Sequence, residues 1–132
     1  MQEEISKIRT VKTEVFCSLQ FEGLHHWPEC PFDEVAYLRD LHRHVFYIKA
    51  YKVVNHDDRD VEFILLKHQV QKHIFEKYYD FHTKTHRFGA MSCEMIGREL
   101  INKFELSRVE ISEDNENGAV VTALETCPTC GK

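Results

Sequence analysis

Glycine, proline and tryptophan are scarce in this chain, at five, three and one in 132 residues. So few glycines leave little material for a phosphate-cradling loop, and neither a Walker pattern nor a dinucleotide glycine fingerprint is present. No Ser-His-Asp order suggests a hydrolase triad. Positive charge is in deficit too: Lys plus Arg number 17 against 22 Asp plus Glu, a net charge of −5. A chain with that balance has no global electrostatic reason to gather on nucleic-acid phosphates, so no nucleic-acid partner is expected. No apolar run reaches membrane-spanning length, and Met1 to Thr10 is charged rather than apolar. Neither a membrane partner nor a signal peptide is expected, which makes a cytoplasmic location the expectation. The cysteines Cys17, Cys30, Cys93, Cys127 and Cys130 are odd in number and scattered. Reduced thiols, not a disulfide framework, follow.

What is present is the material of a globular protein: 42% hydrophobic and 30% charged residues in 15.7 kDa. That excludes intrinsic disorder, collagen and coiled coil and leaves room for one core. A single domain is expected over 1–124, with a short tail over 125–132 whose Cys127-Pro128-Thr129-Cys130 resembles one knuckle of a zinc ribbon, two of four ligands. Nine histidines stand out, since neutral imidazole is the commonest metal ligand and titrates nearest neutrality.

Val15, Cys17, Leu19 and Phe21 alternate with polar neighbours and predict a first strand from Thr13 to Phe21. Between Glu22 and Asp40, Pro28 and Pro31 bracket Cys30 and the periodicity is lost, predicting a loop with a helical turn near Val35 to Leu38. From His42 to Val54 a dense β-branched and aromatic set predicts a second strand, stopped by the turn-like Asn55-His56-Asp57-Asp58. A helix follows, capped by Asp60 and lined by Val61, Ile64, Leu65, His68, Phe75, Tyr78 and Tyr79. The polar stretch from Asp80 to Ala90 reads as a loop. Ser92 caps a second helix that runs to about Phe104, with Glu94 in its first turn near the positive end of the helix dipole. Two short strands around Asn117-Gly118, a strong hairpin signal, complete the order. The expected fold is α+β: an antiparallel four-stranded sheet with two helices on one face, ordered ββααββ.

His42 and His44 stand two apart on a strand, so their side chains leave one face about 6 to 7 Å apart. His25 and His26 lie just past the first strand, where antiparallel pairing could bring one of them to that pair. Three imidazoles with one position open is a catalytic zinc arrangement that polarises a hydroxyl or carbonyl.

Phe21-Glu22-Gly23-Leu24-His25 followed by Leu41-His42-Arg43-His44 resembles the 6-pyruvoyl- and 6-carboxy-tetrahydropterin synthase family, with its Phe-x-x-x-His strand end and His-Gly-His strand. Glu62-Phe63-Ile64-Leu65-Leu66-Lys67 is similar to the family's entry into its first helix and Ser92-Cys93-Glu94-Met95 to the start of its second. Glu113 is similar to its third-strand glutamate. The motifs keep the family's order from about Val11 to Leu124.

The resemblance implies a T-fold (tunnelling fold) subunit assembling into a homo-oligomer, a hexamer with active sites between subunits. It implies zinc on His25, His42 and His44, substrate binding by Glu113 and Glu94, and lyase chemistry on dihydroneopterin triphosphate or a related pterin. That places the chain in tetrahydropterin or deazapurine (queuosine-type) biosynthesis. Glu113 would accept hydrogen bonds from the ring's amino and N–H groups. The family's proton-abstracting cysteine falls near Leu38 here, and no cysteine stands between Pro31 and His44. Cys30, in the same loop, is the substitute expected. For the family's Asp-His dipeptide the expected stand-ins are Asp80 and His82. The rival expectation is a catalytically inactive T-fold protein that binds a pterin or purine nucleotide, or serves as an assembly partner.

Overall fold

β-branched and aromatic residues at alternate positions build the centre of the molecule. β1 (Thr13–His25) and β2 (His42–Val54) pair antiparallel along their whole length, from Thr13 opposite Val54 to His25 opposite His42. On one face Cys17, Leu19, Phe46, Ile48 and Ala50 are buried, as a strand's two-residue period requires. The structure, a computed structural model, describes residues 9–124. The expected Cys127/Cys130 knuckle in 125–132 lies outside the described residues.

β2 has the bounds expected of it, whereas β1 runs four residues past the expected end at Phe21, to His25. The extension is polar and glycine-containing, so it breaks the apolar alternation, but it gains partners on both sides. β2 flanks it on one edge, and a strand at Thr85–Gly89 pairs with Gly23–His25 on the other. The loop expected between Asp80 and Ala90 is in fact a small hairpin of β3 (Tyr79–Asp80) and β4 (Thr85–Gly89). β4 runs parallel to β1. Its Phe88 is buried and packs over Gly23, where a Cβ would lie 2.6 Å from the Phe88 ring. The expectation of a four-stranded antiparallel sheet is therefore corrected. β5 (Arg108–Glu113) and β6 (Asn117–Thr122) complete a six-stranded mixed sheet of order β3-β4-β1-β2-β5-β6, within which β1, β2, β5 and β6 are antiparallel. The α+β class stands.

The helices α1 (Phe63–Tyr78) and α2 (Cys93–Phe104) cover the buried face, α1 over β1 and β4, α2 over β5 and β6. α1 is capped by Glu62, whose carboxylate accepts from the backbone of Ile64 and Leu65. Asp60, expected as the cap, instead accepts from the backbone of Asn55 and closes the preceding turn. The helix buries the row Leu66, Val70 and Ile74; Ile64 and Leu65, expected inside, are exposed. Capping of α2 by Ser92 is as expected, its hydroxyl accepting from Met95 N–H at 3.2 Å. The β5–β6 turn is Asp114-Asn115-Glu116, not Asn117-Gly118: Asp114 and Asn115 take positive φ and Glu116 N–H donates to Glu113 O at 3.0 Å. Asp and Asn tolerate that region. Gly118 serves close strand approach, since a Cβ there would sit 2.0 Å from Ile111 O. Before β2, a kinked 3₁₀ segment (Asp33–Arg39) contains the helical turn expected near Val35.

Candidate metal centre

The register carries the apolar row of the sheet into a polar end. Along β1 the core-facing row Cys17, Leu19, Phe21, Gly23 ends in His25, and along β2 the row Ala50, Ile48, Phe46 ends in His44 and His42. His25 lies directly opposite His42, and one ligand atom from each of His25, His42 and His44 lies within 4.8 Å of the others. His25 is buried and the other two are half-buried. His26, out of phase with the row, places Nδ1 3.3 Å from Arg39 O and is not in the cluster.

Each ring is oriented by an oxygen that can only accept. His25 Nδ1 is 2.9 Å from Met91 O, His42 Nδ1 2.8 Å from Asp40 O, and His44 Nδ1 2.6 Å from the Asp114 carboxylate. All three Nδ1 atoms therefore carry the proton and donate, which leaves Nε2 as the lone-pair nitrogen of each neutral ring. Acceptors behind the ring are what metal-bound histidines use to fix tautomer and orientation. The buried Nε2 atoms of His25 and His44 have no hydrogen-bond partner. Buried polar atoms are rarely left so. Three imidazoles clustered in this way, two of them with an unpartnered Nε2, fit a zinc ion, for which imidazole is a preferred ligand.

Glu113, at the end of β5 opposite Phe46, brings its carboxylate to the same place. Oε2 is 3.0 Å from His25 Nε2 and Oε1 is 3.3 Å from His44 Nε2. His25 and the other imidazoles hold the Glu113 carboxyl below its ordinary value against the opposing effect of burial. Burial pushes the His25 pKa down, but Glu113 and the Met91 carbonyl outweigh it and leave it raised. Asp114, next along the chain, is held low by the Val45 N–H and by His44. The Cys93 thiol at the start of α2 lies 3.8 Å from Glu113 Oε2; burial, then Glu113 and Glu94, push its pKa up to about 12. It is a protonated donor.

The other expected site residues are elsewhere. Cys30 is buried with its thiol 3.8 Å from the carbonyls of both Phe32 and Val35. Asp80 pairs with Thr85, whereas His25 pairs with Gly89, so Asp80 stands roughly 13 Å down the sheet from the cluster. Its carboxylate accepts from the backbone of His82 and Thr83 and from the Thr83 hydroxyl, which hold its pKa low. His82 is exposed in that turn, and Glu94 is exposed in the first turn of α2. Neither Cys30, Asp80, His82 nor Glu94 makes a hydrogen bond or ion pair with the three histidines. Arg43, between the two β2 histidines, faces the other way and pairs with Glu22 on the exposed side. Sequence reasoning missed Cys93 and Asp114: nothing about a cysteine at a helix start, or an acid in a turn, marks it locally.

A scan of protein-family models finds no match to this chain, and no curated protein matches it. No helix among the described residues is long and apolar enough to cross a membrane. The fold and site define an α+β domain with a three-histidine cluster at one end of its core-facing sheet surface.

Proposed function

We propose that this chain is a zinc-dependent lyase resembling the 6-pyruvoyl- and 6-carboxy-tetrahydropterin synthases, a T-fold subunit acting on dihydroneopterin triphosphate or a related pterin. The observation that carries the proposal is the clustering of His25, His42 and His44, each ring held by an acceptor at Nδ1, beside the Glu113 carboxylate. Zinc held by His25, His42 and His44 supplies a Lewis acid for a substrate hydroxyl or carbonyl. The chain's own groups do the rest. Glu113, kept ionised by its neighbours, accepts from the amino and N–H groups of a pterin ring. Met91 O, Asp40 O and Asp114 keep the imidazoles from rotating. Asp80, about 13 Å away along the sheet, and His82 in the turn that follows it would serve such a site from another copy of the chain, as in the cytoplasmic homo-oligomer, a hexamer, that we propose.

One observation favours the second reading, a T-fold protein that binds a pterin or purine nucleotide without turnover. The Cys30 thiol is engaged by two backbone carbonyls, so the proton-abstracting group the family uses has no evident replacement. Zinc per chain, measured on full-length protein carrying Cys127→Ser and Cys130→Ser, tests the metal: about one is expected, and none in His42→Ala. Dihydroneopterin triphosphate turnover by the zinc-loaded protein separates the readings. Its absence sinks the enzyme, and if pterin still binds and Glu113→Ala abolishes binding, the binding protein stands.

A further inference from the structure

We infer that Arg39 is a positioning residue of the histidine cluster, clasping the loop that carries the acceptor behind His42. The inference rests on the zinc reading above and adds to it what keeps one of the three rings in place. Its starting point is a difference among the acceptors. Met91 O, behind His25, belongs to a residue packed against the core, and the Asp114 carboxylate, behind His44, itself accepts from Val45 N–H at 2.9 Å. Asp40 O, behind His42, belongs to an exposed residue outside both strands, in the loop 26–41. A carbonyl in such a place keeps its direction only if the loop is tied to itself.

The loop is so tied. It leaves β1 after His25 and enters β2 at His42, directly opposite. Its two legs are joined by Trp27 N–H, which donates to Leu38 O at 2.7 Å, and by His26 Nδ1, 3.3 Å from Arg39 O. Asp40 N–H donates to Tyr37 O at 3.2 Å. The remaining tie is a side chain: Arg39 Nε–H donates to Cys30 O at 2.9 Å. Cys30 is a firm anchor, buried, with its N–H donating to Trp27 O at 3.1 Å and its thiol 3.8 Å from the carbonyls of Phe32 and Val35. Arg39 thereby couples a buried residue to the one next to it, Asp40. Hydrogen bonds from a charged donor are among the stronger ones. The other guanidinium contact, Nη2 to Asp33 Oδ1, is 3.8 Å long and reaches a fully solvated carboxylate, so the Nε bond and not the ion pair makes the clasp. With the clasp released, the Asp40 carbonyl turns to water and His42 loses the acceptor that commits its proton to Nδ1. Acceptors of this kind are what keep a ligating imidazole in one tautomer and one orientation.

Two substitutions separate donor from charge. In Arg39→Gln the amide nitrogen stands as many bonds from Cα as Nε does in arginine, so the donor is kept and the charge removed. Arg39→Met keeps the length of the stem and has no donor. The test uses full-length protein with Cys127→Ser and Cys130→Ser. Loss of an outer partner typically weakens a metal site about 10- to 100-fold, so loosening one in Arg39→Met is expected to weaken zinc binding about 10-fold in competition with a chelator, with Arg39→Gln close to the parent. Nitrogen NMR of isotope-labelled histidine, on metal-free protein at a pH where the rings are neutral, gives the second readout. His42 is expected as the Nδ1–H tautomer in the parent and Arg39→Gln and as a mixture of tautomers in Arg39→Met, with His25 and His44 unchanged throughout. Undiminished zinc binding in Arg39→Met, equal weakening in both variants, or a His42 ring that keeps one tautomer in Arg39→Met overturns the clasp. Absence of zinc binding by the parent protein overturns the zinc reading itself, and the tautomer readout, taken without metal, distinguishes that from failure of the clasp.

Discussion

Two histidine–carboxylate clusters sit in this molecule and are finished differently. Between the helices, His73 Nε2 lies 2.8 Å from Glu99 Oε2 in a hydrogen bond, Lys77 Nζ is 3.1 Å from the same oxygen, and the Tyr78 hydroxyl donates to Oε1. There each polar group facing Glu99 has a partner. At the sheet end, His25 and His44 Nε2 lie farther from Glu113, at 3.0 and 3.3 Å, without well-aligned hydrogen bonds. A satisfied network stabilises a fold, because breaking it strands buried groups. One with unsatisfied nitrogens leaves a place that a group other than a side chain could fill. Histidine and glutamate alone do not distinguish the two; completion does.

The largest contrast is expected from deleting one histidine at each place. His44→Ala should abolish zinc binding, read as metal per chain, whereas His73→Ala should leave zinc content unchanged. Parity between the two variants would erase the distinction. Next, Asp114→Ala removes the acceptor behind His44 and should weaken metal affinity about 10- to 100-fold without removing the site, measured by competition with a chelator. Glu99→Ala strands His73 and Tyr78 and should cost about 1 to 3 kcal/mol in urea unfolding, with metal affinity untouched.

The smallest effect is a pH dependence of the helix network. Burial raises the Glu99 pKa, but Tyr78, His73 and Lys77 outweigh it and hold the carboxyl below its ordinary value. A group lowered in the folded state contributes stability above its unfolded pKa, about 4.3 for glutamate, and loses it as pH falls through the lower folded value. The stability gap between the parent protein and Glu99→Gln should therefore be constant from pH 7 to about 5 and narrow below about 4. Denaturant midpoints at each pH measure it.

Residues 42 and 44 were legible as a pair because a strand's period is two, whatever the strand later packs against. The choice between His25 and His26 was not, since it depends on β1 continuing past Phe21 in phase with its core row. That continuation is secured by β4, which pairs with β1 at Gly23–His25 and whose own segment reads as a polar loop. Glu113 could be singled out only through the family resemblance. Asp114 could not be singled out at all: its bond to His44 spans 70 residues. Cys30 looked suited by its place in the loop, but its buried thiol faces Phe32 and Val35.

By itself, then, the sequence determined the α+β class, the full extent of β2 and the cap of α2 at Ser92. Those features depend on backbone geometry and on neighbours within one strand or one helical turn. The tertiary structure alone decided the added β3–β4 hairpin, the phase of α1, the third histidine, and the acceptors that strip Nε2 bare. Those depend on register and packing between segments distant in the chain, where the partner that satisfies a group, or leaves it unsatisfied, is chosen by the folded whole.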